Sequence, residues 1–258
     1  GIINVNHLPT TFNGNDRPYV EQFIIPSTWR EIGVGLYGHS NSLPGLNWSV
    51  AVQNGLNAGA FVHGSGIREG RGEGSQANAS NLGLSGALLY YVRDFRFQAS
   101  GYYGGSAGLT QREADSLQLD YGTFGTPVRL LEANAQYHGE RFRVKVLATH
   151  VDIQDAERIN RAYANNTPSS MFGAYAEIGC DLWSFIRPEE KRDLIAFVRC
   201  ETLDLNATIP ENGIDDPTLT RMYVVAGLTY APVVGVSVKV DYTLRNTGEP
   251  SPALDLNP

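Results

Sequence analysis

The segment Val234-Gly-Val-Ser-Val-Lys-Val-Asp-Tyr-Thr-Leu-Arg-Asn246 alternates strictly between two kinds of side chain. From Val234 to Leu244 the even-numbered positions are apolar, whereas the odd-numbered positions are glycine, serine, threonine or a charged residue. Successive side chains of a β-strand point to opposite faces of the sheet. The segment therefore predicts a strand with one apolar face and one polar face.

Further segments alternate in the same way, so the sequence predicts about ten strands in five hairpins. They cover residues 32–36, 46–52, 82–92, 95–103, 131–138, 142–148, 172–182, 194–202 and 221–230. The connections alternate in length: short ones fall at 39–45, 93–94, 139, 185–192 and 231–233, and long ones at 54–81, 105–126, 151–170 and 205–218.

A barrel in an outer membrane has short turns at one end, long loops at the other, a lipid-facing apolar wall and a polar lumen. We therefore predict an all-β fold, an antiparallel up-and-down transmembrane β-barrel, as a single domain over residues 1–258. The abrupt ends of the chain predict that it is an incomplete part of a larger barrel.

Composition argues against several other classes of protein. The chain is 42% hydrophobic, yet apolar runs such as 228–236 are interrupted and fall short of the ~20 residues that a spanning helix needs. A formal net charge of −7 argues against a nucleic-acid partner. The five histidines lack metal-ligand spacing, and neither a nucleophile elbow nor a phosphate loop is present. We predict no enzyme, no cofactor and no metal site.

Two other interpretations share the alternating pattern. A soluble β-sandwich, for example one that binds glycans, would turn its apolar face to a core and its polar face to water. A structural outer-membrane barrel with a plugged lumen would have the same strands but no conductance. Strand lengths of about 9 to 13 residues and long loops on alternate connections favour the membrane barrel.

Charged side chains on the polar face are the candidates for the lining of a pore. They have a modest positive excess, which hints at a preference for anions. The candidates are Arg129, Arg141, Arg143, Lys145, Glu177, Asp181, Arg199, Arg221, Lys239 and Arg245. The alternative is that these charges pair across neighbouring strands and only stabilise a solvated wall.

The two cysteines lie on the apolar faces of one predicted hairpin. A turn centred near residue 190 would place Cys180 opposite Cys200 and Asp181 opposite Arg199. Facing cysteines can form a cross-strand disulfide in an oxidising compartment. An equally good interpretation is that the two cysteines are small apolar residues that face lipid and form no bond.

Residues 1–30 are predicted to form an ordered loop, because aromatic, proline and charged residues occur there without strand alternation. This loop could fold into the pore as a constriction that sets size and charge selectivity. The residues of that constriction would be Arg17, Glu21, Trp29, Arg30 and Glu31. A stiff cap on the barrel is the alternative.

Four motifs resemble a known family. They are Arg17-Pro-Tyr-Val-Glu21, Ile24-Ile-Pro-Ser-Thr-Trp-Arg-Glu31, Val52-Gln-Asn-Gly-Leu56 and Asp155-Ala-Glu-Arg-Ile-Asn160. Together they resemble porins of Bacteroidota and related phyla described as similar to phosphate-selective porins O and P, over most of the chain. The resemblance implies an outer-membrane diffusion channel, often a homotrimer, with further strands before Gly1 and one after Pro258. The motifs identify a lineage and not a substrate.

The sequence as a whole predicts a passive diffusion channel of the bacterial outer membrane. Such a channel contacts outer-membrane lipid and conducts small hydrophilic solutes or anions.

Overall fold

A computed structural model describes residues 8–26, 28–189 and 192–249 of the chain. Ten strands form one antiparallel sheet in which each strand pairs with its neighbours in the sequence. The strands are β1 (Gly33–His39), β2 (Leu46–Asn54), β3 (Leu82–Val92), β4 (Phe95–Gly105), β5 (Pro127–His138), β6 (Phe142–Ile153), β7 (Ser170–Asp181), β8 (Asp193–Thr208), β9 (Thr220–Val233) and β10 (Val236–Thr247).

The predicted ten-stranded, all-antiparallel, up-and-down sheet is confirmed. The short hairpin connections all lie at one end of the strands, here called the turn end. The long connections lie at the opposite end of the strands, here called the loop end. Within the described residues the sheet does not close, because β1 and β10 each pair on one side only.

Among the described residues, four short α-helices lie outside the sheet: α1 (Tyr19–Phe23), α2 (Gln111–Leu117), α3 (Ala156–Tyr163) and α4 (Trp183–Ile186). None of the helices in the described part of the chain is long and apolar enough to cross a membrane.

The two faces of the sheet differ in burial, residue by residue. The outer face carries exposed apolar side chains such as Ile178, Val198 and Leu228. The inner face carries the alternate positions, including buried Arg199 and Tyr223. Strict alternation within each strand produces this division, since consecutive side chains point to opposite sides.

The main hydrophobic core lies against the inner face towards the loop end. It combines strand residues such as Leu130 and Leu203 with Ile24 near α1 and with Phe61 and Ile67 from the β2–β3 connection. Full burial of each such side chain contributes about 1.5–3 kcal/mol of hydrophobic stabilisation. The long loops and the N-terminal residues therefore fold onto the inner face of the sheet.

Candidate functional site

Residues 8–26, here called the inner segment, lie across the inner face of the sheet. Lys145 of β6 donates from Nζ to the Thr11 carbonyl oxygen at 2.9 Å, and Lys239 of β10 donates from Nζ to the Phe12 carbonyl at 2.8 Å. Two strands that lie far apart in the strand order thus contact adjacent residues of one segment. The sheet is therefore curved, with the inner segment in its concavity.

A buried charge network lies beneath this segment. Arg199 of β8 donates from Nε to Glu201 Oε1 at 2.7 Å and from Nη1 to Glu177 Oε2 on β7 at 3.2 Å. The same guanidinium donates from Nη1 to the Asn13 carbonyl and from Nη2 to the Asp16 carbonyl, both at 3.2 Å. The Arg199 side chain is fully buried, so its charge is stabilised by these partners and not by water.

Helix α1 fixes the middle of the inner segment. Val20 and Ile24 pack on Gly173 of β7, where an added Cβ would lie 2.7 Å from Ile24 Cδ1. The Tyr19 ring stacks on Tyr223 of β9 with ring centroids 4.0 Å apart. Glycine at position 173 therefore allows the close approach of the helix to the sheet.

The buried Glu21 carboxylate of α1 accepts a hydrogen bond from the Tyr175 hydroxyl at 2.6 Å. Towards the loop end, Trp29 donates from Nε1 to Glu31 Oε1 at 2.9 Å, and its ring lies 4.7 Å from the Tyr102 ring. Glu31 also accepts from Asn54 Nδ2 at 2.5 Å. These two carboxylates, predicted to set selectivity, thus hold the N-terminal residues on the sheet.

The other residues predicted for a constriction lie at the surface of this region. Arg30 is exposed, and Arg17 is partly exposed. The structure therefore places the predicted constriction on the inner face but brings only part of it to the solvent-accessible surface.

Most of the predicted pore-lining charges occupy inner-face positions. Arg143, Lys145, Glu177, Asp181, Arg199, Arg221, Lys239 and Arg245 share the face that the inner segment covers. Three of them are too deeply buried to line a solvated pore, since the exposures of Arg199, Glu177 and Asp181 are 0%, 5% and 5%. Asp181 Oδ1 accepts from the backbone N–H groups of Trp183 and Leu194, which shapes the turn.

Two predicted lining residues lie elsewhere. Arg129 of β5 points to the outer face, because it shares the parity of exposed Leu131, and it pairs with Asp152 of β6. Arg141 lies in the β5–β6 turn, with its guanidinium carbon 4.6 Å from the centre of the Phe185 ring. The prediction that Arg129 lines the polar face is therefore wrong, and Arg141 lies in a turn and not on a strand of that face.

Of the two interpretations of the cysteines, the structure contradicts the cross-strand disulfide, because the two residues do not lie opposite each other. Cys180 lies opposite Ala196 and Cys200 lies opposite Ala176, and both thiols are free. The register differs because β7 ends in a connection that contains α4, with the Leu182 N–H donating to the Leu194 carbonyl at 2.7 Å. Arg199 consequently faces Glu177 and not Asp181.

A cavity of about 800 Å³ opens at the turn end of the inner face. It is lined by Arg96, His138, Arg143, Lys145 and Asp193, among other residues. Arg143 donates from Nη2 to Asp193 Oδ2 at 2.7 Å. The cavity walls come from hairpins β3–β4, β5–β6, β7–β8 and β9–β10 and from residues 10–13 of the inner segment.

The outer face has an aromatic belt near the turn end that sequence reasoning missed. Phe95 and Phe97 stack at 5.9 Å, and Phe95 lies 4.9 Å from Tyr137. On the same face but several strands away, the ring of Tyr230 on β9 lies 6.0 Å from the ring of Trp183. The signal was present in the sequence as aromatic residues at or near strand ends on the apolar face.

Three long loops are joined at the loop end by one polar cluster. His63 contacts Asp216 Oδ2 through Nε2 at 2.7 Å and Asn166 Nδ2 through Nδ1 at 3.1 Å. Thr218 donates from Oγ1 to Asp216 Oδ1 at 2.6 Å. This hydrogen bond from Thr218 lowers the pKa of Asp216 below its usual value, burial opposes the shift, and the bond to His63 lowers the pKa further.

No group of three or more His, Cys, Asp or Glu side chains suited to a metal ion occurs among residues 8–26, 28–189 and 192–249. No family model matches the chain. The chain is similar to an uncharacterized protein of Aquifex aeolicus (strain VF5), with 26% identity over 254 residues. That similarity covers 94% of this chain and 55% of the relative, so the chain spans about half the length of the curated relative it matches.

Proposed function

We propose that the chain is part of a bacterial outer-membrane β-barrel that acts as a passive diffusion channel for small hydrophilic solutes. The observation that carries the proposal is the polarity of adjacent positions on β8. Val198 on the outer face is 44% exposed, whereas Arg199 on the inner face is 0% exposed. A soluble protein buries the valine and exposes the arginine, while a barrel in lipid turns apolar side chains outward and polar ones inward.

Two further features support a membrane-facing outer surface. The aromatic belt lies at the level at which the wall of such a barrel would meet the membrane–water interface, a depth that aromatic side chains favour. At the loop end, Arg129, Asp152 and His150 form a polar cluster on the same face. Between these two levels the outer face is largely apolar, as a hydrocarbon-spanning wall requires.

Solutes would pass along the exposed surface of the inner segment. Glu177 and Arg199 beneath it are buried, so Asn15, Asp16 and Arg30, which are exposed, are better placed to contact solute than these two residues. The wall opposite would come from strands that join β1 and β10, since one half of a barrel cannot enclose a pore by itself. Trimer formation, anion preference and kinship with phosphate-selective porins remain predictions within this proposal.

A second candidate function is a structural barrel without conductance. It is favoured by the inner segment and by the loop residues Phe61 and Ile67, which fill part of the concavity with buried side chains. The soluble glycan-binding sandwich fits less well, because it would place Val198 and Leu228 in a core and not at the surface.

Conductance of the full-length protein separates these functions. Purification in detergent should yield a species whose gel mobility shifts on heating, as folded barrels do, and its addition to a planar lipid bilayer should produce stepwise ohmic currents. The ratio of anion to cation permeability would then measure selectivity. A folded, heat-modifiable protein that gives no current would overturn the channel and favour the structural barrel, whereas a protein soluble without detergent would overturn both.

A further inference from the structure

The strand side chains that hold the inner segment bind mainly its backbone. Lys145 and Lys239 donate to the carbonyl oxygens of Thr11 and Phe12. Arg199 donates to the carbonyl oxygens of Asn13 and Asp16. Lys239 also donates to the Pro9 carbonyl oxygen, so three cations from three strands contact five backbone acceptors within a short stretch of chain.

Acceptors from the neighbouring strands bind the intervening N–H groups. Asp241 Oδ2 accepts from the Asn15 N–H at 2.5 Å, and Thr229 Oγ1 accepts from the Gly14 N–H at 3.4 Å. The inner face of β6–β10 therefore presents donors and acceptors in an order that matches a peptide backbone. Hydrogen bonds with a charged partner are about twice as strong as those between neutral groups.

Sequence requirements are confined to a few positions of the bound stretch. The Phe12 ring lies beneath Lys239 Nζ at 3.9 Å. Gly14 has a φ of +78°, and a Cβ there would lie 2.8 Å from Asp241 Oδ2. By contrast, the side chains of Thr11, Asn15 and Asp16 belong to exposed residues. The buried Asn13 side chain donates from Nδ2 to Glu177 Oε1 at 2.9 Å. The site thus requires an aromatic residue, an asparagine and a glycine in succession, and it tolerates variation at the three exposed positions.

We propose that the inner face of β6–β10 is a binding site for short peptides, and that residues 9–16 occupy it in cis. The proposal names a solute class for the channel and rests on the proposed function only for how a peptide reaches the site. A peptide that carries the pattern aromatic residue, asparagine, glycine competes with the cis stretch for Lys145, Arg199, Lys239 and Asp241. These charged side chains would be costly to bury without partners, and they have partners both when the cis stretch is bound and when a peptide replaces it.

The test uses the full-length protein in detergent and a fluorescent peptide with the sequence of residues 8–17. Fluorescence anisotropy should show saturable one-to-one binding to a variant that lacks residues 9–16, and binding at least about tenfold weaker to the intact chain, where the cis stretch competes. A peptide N-methylated at the position of Asn15, or with alanine in place of Gly14, should bind about tenfold more weakly. Alanine at the positions of Thr11, Asn15 and Asp16 should leave the affinity within about twofold.

Variants of the wall provide a second measurement. In the protein lacking residues 9–16, Asp241→Ala should weaken peptide binding about tenfold or more. The matched control Arg129→Met, which removes a charge from the outer face, should leave binding unchanged. Should the deletion variant fail to fold, Gly14→Ala in the intact chain displaces the cis stretch and should strengthen peptide binding.

Equal affinity of the N-methylated and unmodified peptides, or no effect of Asp241→Ala, would overturn the proposal. Absence of peptide binding to a folded, heat-modifiable deletion variant would overturn it too. Because anisotropy in detergent does not depend on ion flow, a protein that binds peptide but gives no current contradicts the channel and leaves the peptide site intact. A protein that conducts but binds no peptide contradicts the peptide site and leaves the channel intact.

Discussion

Arg199 on β8 lies directly opposite Glu177 on β7, and its Nη1 atom is 3.2 Å from Glu177 Oε2 in a fully buried contact. The same arginine binds Glu201 on its own strand and two carbonyl groups of the inner segment. One cation therefore joins two strands and the segment that covers them.

Removal of this cation should be costly. Arg199→Met leaves the carboxylates of Glu177 and Glu201 buried without their partner, and loss of one member of a buried pair typically costs about 3–5 kcal/mol. Equilibrium unfolding by urea in detergent, followed by tryptophan fluorescence, measures the change. Arg129→Met, which removes an exposed ion pair, should cost less than about 1 kcal/mol. Equal losses in both variants would contradict the role of burial.

The addition of a single methyl group at Gly173 should destabilise the packing of the inner segment on the sheet. Gly173→Ala places a methyl group against Ile24 and Val20 of the inner segment, and overpacking of this kind costs about 1–3 kcal/mol. We expect the segment to loosen and trypsin to cut faster after Arg30. Gly86→Ala is the control, since its Cβ would meet the nearest atom at an ordinary 3.4 Å. Unchanged cleavage of the Gly173→Ala variant would show that the segment is held by other contacts.

A charge on the outer face distinguishes a lipid-facing wall from a solvent-facing one. Val146 is 40% exposed and lies opposite Ala135 and Ala176 near the middle of β6. In a bilayer, Val146→Arg should destabilise the folded protein by about 2–4 kcal/mol, as measured by urea unfolding in liposomes. Tyr121→Arg, in an exposed loop, should be nearly neutral. A neutral Val146→Arg would argue against a membrane-facing outer surface.

The loop cluster predicts a dependence on acid pH. Because the pKa of Asp216 is lowered in the folded state, its ionised form stabilises the cluster fully above the ordinary carboxyl value of about 4, and this contribution is lost as the pH falls through the lowered pKa. Pepsin should therefore cut the β8–β9 loop faster, relative to an unfolded control, as the pH falls from about 5 to about 2. Asp216→Ala should be cut rapidly throughout this range. A wild-type rate that parallels the control would refute the prediction.

The β7–β8 register can be tested with a single new cysteine. Ala196→Cys places a thiol opposite Cys180, within the range of Cα separations that a disulfide spans. Mild oxidation should then remove two hydrogen atoms from the mass of the protein, and the pair Cys180 and Cys200 of the wild type should not react in this way. A bond between the two native cysteines within one chain would restore the register predicted from the sequence.

The sheet could be predicted from the sequence because alternation is a local signal. Val236 to Leu244 has that period within one strand, and the alternating short and long connections fix the up-and-down order without knowledge of distant contacts. The register of β7 and β8 could not be predicted, since it depends on how Asp181 and α4 shape the turn.

The candidate site was predictable only in outline. The charges on the polar face were identified, but their burial depends on the inner segment, whose contacts join residues as distant in sequence as Asn13 and Arg199. No period in residues 8–26 indicates which strands they cover. For the aromatic belt, the sequence shows aromatic residues at or near strand ends, but it does not show that Phe95 and Tyr137 come into contact, because this contact depends on how the strands pair.

In the part of the chain that the structure describes, β1 and β10 each lack a partner strand on one side, and this bears on how the proposed wall could enter a membrane. β10 has 12 residues, and hydrocarbon offers no partner for the backbone N–H and C=O groups along its open side. In a bilayer those groups would each cost several kcal/mol, which far exceeds the stability of an ordinary domain when summed over a strand. If the proposed barrel is correct, the ten strands would enter the membrane only together with strands that pair with both open sides. Insertion would then be a late, concerted step of biogenesis and not a process that advances one hairpin at a time.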